Sequence, residues 1–279
     1  MTLRNNGLYI DRLSMNFGGV VVFEDISIEA PPSKVTACIG PNGAGKTTII
    51  NIVCGVFPPR TGKVFIDGVQ LSGVRPFNTV RYGLCRSFQD VRIFPSLTAI
   101  ENVLVAMPNQ GGESLSGLFL PGGWRQERAN RERARHLLQA VALESAAERA
   151  AGELPFGQQK LLSLVRAIAT GARVLLLDEP AAGLESDLIP HVVDLIRSLV
   201  KAEGRATFLV EHNIELVRQV ADQICVLQAG RIIASGDVRH RYSGARRVFR
   251  RRKATTSVRI FTCAPRDPGE ESSCRKPGL

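Results

Sequence analysis

Gly40-Pro41-Asn42-Gly43-Ala44-Gly45-Lys46-Thr47-Thr48 is the stretch on which the reading of this chain turns. It follows a short apolar run, Val35 to Ile39, and opens an apolar-periodic one, Ile49, Ile50, Ile52 and Val53. Strand, glycine-rich turn and helix start are the setting that a phosphate-binding loop requires. The glycines let the backbone curl so that successive N–H groups converge on an anion. The helix start adds unpaired donors and a positive dipole end. Lys46 supplies a charge for terminal phosphates, and the Thr47 hydroxyl is a hard oxygen ligand suited to Mg²⁺. A plain glycine-rich turn with an incidental lysine is the bland alternative, and the flanking elements argue against it.

Working outward, Val174-Leu175-Leu176-Leu177 runs straight into Asp178-Glu179-Pro180. An apolar strand that ends in a carboxylate can present that group to a nucleotide-bound Mg²⁺. Glu179, the next residue, can orient and deprotonate an attacking water. Phe208-Leu209-Val210 leads likewise into Glu211-His212, where His212 either starts a helix or contacts a terminal phosphate. Leu84 to Phe88 reads as a strand ending in Gln89. Strands alternating with helical segments predict an α/β fold with a mostly parallel core sheet. Ligands in such sheets lie at the carboxyl ends of strands, where Gly40, Gln89, Asp178 and His212 fall.

Ahead of the loop, Leu8 to Leu13 and Val20 to Ile28 read as antiparallel strands around Phe17-Gly18-Gly19. Phe17 is either a core residue or a platform for a nucleotide base. Lys63 to Ile66 is a further strand, closed by Asp67-Gly68. Thr98 to Ala106 reads as a helix. Pro108 to Trp124 reads as a loop, either a mobile surface segment or a partner contact. Arg125 to Val141 reads as a charged helix with a solvated face. Leu154 to Lys160 leads into an apolar helix, Leu161 to Thr170. Ser186 is placed to cap a helix reaching Lys201. Ile224 to Leu227 and Arg231 to Ala234 form a closing hairpin.

The net charge of +10 is unevenly spread, since residues 239–279 hold 12 Lys and Arg against 3 Asp and Glu. The body is therefore near neutral and no nucleic-acid partner is expected from it. No apolar run reaches the about 20 residues of a membrane helix. The first residues lead into no apolar signal core. The six cysteines, Cys38, Cys54, Cys85, Cys225, Cys263 and Cys274, show no metal-ligand spacing and read as reduced.

Taken together, residues 7–236 resemble an ATP-binding subunit of an ABC transporter. The resemblance rests on motifs in order: the loop Gly40–Thr48, Gln89 as the Q-loop, Leu154–Lys160 as the signature, Val174–Glu179, Ala182–Glu185 as the D-loop and His212 as the switch histidine. It implies a P-loop NTPase core with an N-terminal antiparallel β subdomain and a helical signature subdomain at about 95–170. It also implies ATP and Mg²⁺ as bound groups. ATP would be held by Phe17, the Gly40–Thr48 loop, and Pro155, Phe156, Gly157 and Gln158. Mg²⁺ would be held by Thr47, Gln89 and Asp178. The catalytic set implied is Glu179, His212 and Gln89. Two such subunits, alike or different, would pair head to tail, with membrane permease subunits docked near the Q-loop and a solute-binding protein acting through them. The chain would sit peripherally on the cytoplasmic face of the membrane.

Two departures stand out. The usual signature is Leu-Ser-Gly-Gly-Gln, and here Pro155 and Phe156 replace the serine and first glycine. Proline offers neither hydroxyl nor N–H, and one lost donor of this kind typically costs about 10²–10³ in rate. An aromatic signature, Arg86 to Phe94, Val210 to Asn213 and the long segment before Trp124 resemble the G-type ATPases of branched-chain amino-acid importers and their urea and amide relatives. The expected function is to power such an importer, with asymmetric hydrolysis if the partner carries the better signature. The alternative is a soluble ABC ATPase of DNA repair or translation, against which stand the lack of sustained heptads and the single P-loop. The second departure is the tail, 237–279, expected to be disordered and either without a role or a contact for anionic lipid or nucleic acid.

Overall fold

The computed structural model describes residues 6–71, 74–87, 90–108 and 121–238. Phe88 and Gln89, most of the segment read as a loop from Pro108 to Trp124, and the basic tail from residue 239 onward lie outside the described residues. In chain order the strands are β1 (Leu8–Phe17), β2 (Val20–Ala30), β3 (Val35–Ile39), β4 (Thr61–Ile66), β5 (Val69–Gln70), β6 (Leu84–Ser87), β7 (Val174–Asp178), β8 (Ala206–Val210), β9 (Gln223–Gln228) and β10 (Arg231–Asp237). The helices are α1 (Lys46–Val53), α2 (Ala99–Ala106), α3 (Pro121–Gln139), α4 (Phe156–Ala169), α5 (Ile189–Ala202) and α6 (Ile214–Val220).

A four-stranded antiparallel sheet runs β2-β1-β4-β5. A six-stranded sheet runs β10-β9-β3-β8-β7-β6, parallel throughout except for β10 at its edge. The alternation of buried and outward residues along β1 explains why it pairs on a half-covered sheet. β7 and β8 are buried at every position and read as unbroken apolar runs, the mark of a strand covered on both faces.

Side chains of the central strands divide by parity between two apolar layers. Leu175, Leu177 and Leu209 face α2, α4 and α5, beside Val103, Leu162, Val165 and Val192. Val174, Leu176, Phe208 and Val210 face the antiparallel sheet, with Ile49, Ile50 and Val53 of α1 and Phe23 between. Fully burying one such side chain contributes about 1.5–3 kcal/mol. The helix that carries the glycine-rich turn is thus clamped between two sheets.

Several boundaries differ from the sequence reading. α3 starts at Pro121, not Arg125, because proline suits the first helical position, where its missing N–H has no partner to lose. α4 starts at Phe156, so the signature residues form its first turn. Ser186 does not open α5, which begins at Ile189. A helix capped by Ser186 would need an N–H from residue 190 to the Ser186 carbonyl, and residue 190 is proline.

Candidate active site

The turn between β3 and α1 is built as an anion cradle. Gly43 and Gly45 hold left-handed φ angles of 77° and 98°. A Cβ on Gly45 would lie 2.8 Å from Val22 Cγ1 and 3.0 Å from Phe23 Cδ1, so this position needs both the conformation and the missing side chain. Lys46 is buried, and its Nζ donates to the carbonyls of Gly40 (2.8 Å) and Pro41 (2.9 Å). An ammonium carries three donors, so one remains for a bound anion. Thr47 is exposed at the helix start, and α1 opens without an acidic residue, leaving the dipole end uncancelled.

β8 lies between β3 and β7, and β6 lies beyond β7, so the four carboxyl ends sit side by side. This order brings the Gly40–Thr48 turn, His212, Asp178 with Glu179, and the approach to Gln89 to one edge. Asp178 is buried. Its Oδ2 accepts from Arg86 Nη2 at 2.7 Å, and Arg86 Nη1 donates to Asn51 Oδ1 at 2.6 Å. Among the described residues, Asp178 Oδ1 meets no donor. Burial raises the Asp178 pKa above the ordinary 3.8, and the Arg86 bond and charge do not fully offset it. A buried carboxylate with one unpaired oxygen, facing a turn that carries an exposed threonine hydroxyl, fits a divalent cation of the hard, oxygen-seeking kind.

Glu179 adopts φ 48°, a left-handed conformation that costs a non-glycine residue about 1–2 kcal/mol. Its N–H still reaches the Val210 carbonyl at 2.9 Å, which pins the kink to β8. The kink swings the side chain toward His212, whose Nδ1 lies 3.7 Å from Glu179 Oε1. Phe17 is 46% exposed and meets Phe57 edge-on at 5.4 Å, so it is a surface ring and not a core residue. It pairs with Val20 at the hairpin end, and that hairpin carries the Val22 which touches the cradle. Pro155, Phe156, Gly157 and Gln158 open α4. A Cβ on Gly157 would lie 2.5 Å from Leu188 Cδ1, and Phe156 is 62% exposed beside Gly183.

Three polar residues with no role in the sequence reading join the site. Arg86 balances Asp178 from the strand that leads to Gln89. Glu211 is fully buried and accepts from the N–H groups of Ala181 (3.0 Å), His212 (3.0 Å) and Asn213 (3.1 Å). Lys160 on α4 donates to the Ala182 carbonyl; burial lowers its pKa, opposed by Glu211 and Glu179. A charged residue inside a mostly apolar strand was the available signal for Arg86, and a charge at the edge of an apolar run for Lys160 and Glu211.

The ABC transporter family model matches residues 23–182. The chain is 38% identical over 231 residues to the high-affinity branched-chain amino acid transport ATP-binding protein BraF of Pseudomonas aeruginosa, covering 82% of this chain and 91% of that one. It is 35% identical, with the same coverage, to LivG of Escherichia coli, a protein of the same description. A nucleotide-free ATP-binding cassette from an ABC transporter superimposes with a TM-score of 0.66 at 30% identity, covering 82% and 90%. The ADP conformation of another ATP-binding cassette of an ABC transporter does so with a TM-score of 0.69 at 31% identity, covering 85% and 94%. With the cradle, the carboxylates and the signature helix in these places, this chain belongs to the ABC transporter family as one of its ATP-binding cassettes.

Proposed function

We propose that this chain binds and hydrolyses ATP to power an importer of branched-chain amino acids or related small solutes. The observation that carries the reading is the convergence of the Gly40–Thr48 cradle, Asp178, Glu179 and His212 at the ends of neighbouring strands. The solute class rests on the likeness to BraF and LivG, and no feature of the chain favours a role in DNA repair or translation.

Lys46 and the loop amides bind the phosphates, and Phe17 stacks on the base. Thr47, Asp178 and Gln89 would hold Mg²⁺, which would supply neutralisation of phosphate charge. Glu179 takes a proton from the water that attacks the terminal phosphorus. The bond to the bridging oxygen breaks, and ADP leaves as the other product. His212 donates to the terminal phosphate and keeps it in line. The chain-level unit is the cassette of residues 7–236, its helical part at about 95–170, with 237–279 a separate basic tail. Pro155, Phe156, Gly157 and Gln158 serve the ATP of a second cassette, whose own signature completes this site. Permease subunits dock near Gln89 at the cytoplasmic face, and a solute-binding protein acts through them.

Glu179→Gln tests the reading. It is expected to lower ATP hydrolysis by about 10²–10⁴ while leaving Mg²⁺-dependent binding of a fluorescent ATP analogue intact. Hydrolysis at the wild-type rate in the variant would assign the base elsewhere. Co-purification with permease subunits checks the transport role.

A further inference from the structure

Two backbone segments carry the reacting groups, residues 179–182 after β7 and 211–213 after β8. One buried side chain joins their backbones. Glu211 Oε1 accepts from the Ala181 N–H, two residues past Glu179, and Oε2 accepts from the N–H groups of His212 and Asn213. The carboxylate is fully buried, so these three donors replace all the water it would otherwise hold. Burying a charge costs several kcal/mol unless it is bonded and balanced. Lys160 supplies the nearby positive charge, and its Nζ is fixed on the Ala182 carbonyl, one residue further along the same loop. The Ala182 N–H returns to the Glu179 carbonyl at 3.1 Å. One connected set of bonds therefore runs from the signature helix, through the 181–182 peptide, to His212.

We propose that Glu211 is the positioning residue that sets the Glu179–His212 geometry, and that Lys160 ties this brace to the first turns of α4. The proposal rests on the hydrolytic reading above. Glu211 touches no reacting atom; it fixes the two backbone segments that do the work. Its role explains why a glutamate side chain is kept in a site without solvent. An amide there would set its N–H₂ group against one of three backbone donors, because only its oxygen accepts. A displacement of about 1 Å in such a pair costs about 10²-fold in rate.

The experiment uses the full chain and compares wild type, Glu211→Gln, Lys160→Met and the double variant. ATP turnover is normalised to the fraction that binds a fluorescent ATP analogue, which keeps misfolded material out of the rate. Glu211→Gln is expected to lower kcat by about 10–100-fold with KM and nucleotide affinity within about twofold. Amide hydrogen exchange is expected to rise in peptides covering 180–183 and 211–213. Lys160→Met is expected to lower kcat in the same direction, and the double variant to be no worse than the worse single one, since both act through one loop. Should Glu211→Gln not fold, an unchanged kcat in Lys160→Met overturns the brace. Wild-type turnover in Glu211→Gln, or additive losses in the double variant, also overturns it. Absence of hydrolysis in the wild type, both alone and co-purified with its partner cassette and permease subunits, would instead overturn the reading of the whole site.

Discussion

Lys46 and Asp178 pose opposite electrostatic problems at the residue scale. Lys46 is a buried cation whose ligands in this chain are neutral carbonyls, so an anion is its natural further partner. Lys46→Ala is expected to weaken Mg²⁺–nucleotide binding by about 10–100-fold, the worth of one charge-assisted hydrogen bond of about 1.5–3 kcal/mol. Isothermal titration with a non-hydrolysable analogue measures this. Asp178 is a buried anion that is only half paired. Its folded pKa is raised above the ordinary value, so between the two values the folded chain binds more protons than the unfolded one. The stability contributed by Asp178 is therefore fully present below the ordinary value of 3.8 and is lost as pH rises through the folded value. Thermal melts of nucleotide-free protein from about pH 4 to pH 6 are expected to show this fall more strongly in wild type than in Asp178→Asn. Mg²⁺ with nucleotide is expected to reduce it, since a cation at Oδ1 favours the ionised form.

At the scale of elements, the segment that follows Gln89 is held by one buried amide. Asn102 on α2 is fully buried; its Oδ1 accepts from the Phe94 N–H at 2.8 Å, and its Nδ2 donates to the carbonyls of Phe94 (2.9 Å) and Thr98 (3.0 Å). Arg166 of α4 donates to the carbonyls of Arg92 and Asn102 and lies over the Phe94 ring at 4.7 Å. Asn102→Ala leaves the Phe94 N–H without its partner, while the Phe94 and Thr98 carbonyls keep the main-chain N–H groups of residues 97 and 102, and is expected to cost about 1–3 kcal/mol in denaturant unfolding. It is also expected to raise protease sensitivity around residues 90–98 before that of the core sheet. α2 itself survives, because the Thr98–Glu101 capping box satisfies its first turn.

At the scale of the whole molecule, α1 packs between the two sheets, and the proposed nucleotide edge lies at the carboxyl ends of the parallel strands. Phe156 at the start of α4 stays exposed, an apolar ring on a helix end that has no acidic residue in its first turn. That combination suits burial against a nucleotide and a second cassette. Glu179→Gln with Mg²⁺–ATP is expected to give a dimer by light scattering, and ADP to return it to monomer, because only ATP offers both cassettes a terminal phosphate. A monomer throughout would assign the second cassette to a different chain.

The amino-acid order alone determined the nucleotide loop, the alternating α/β plan, the carboxylates after Leu177 and the closing hairpin. Each of these is a local pattern: glycines where the backbone must turn, apolar runs of strand length, a charge at a strand end. Tertiary structure decided what depends on distant neighbours. Arg86, Lys160 and Glu211 lie within motifs quoted from the sequence but take no individual role until the strand order sets β8 between β3 and β7 and brings their partners within hydrogen-bond reach. The left-handed Glu179 is likewise invisible in composition, because the β7–β8 pairing holds its strain in place.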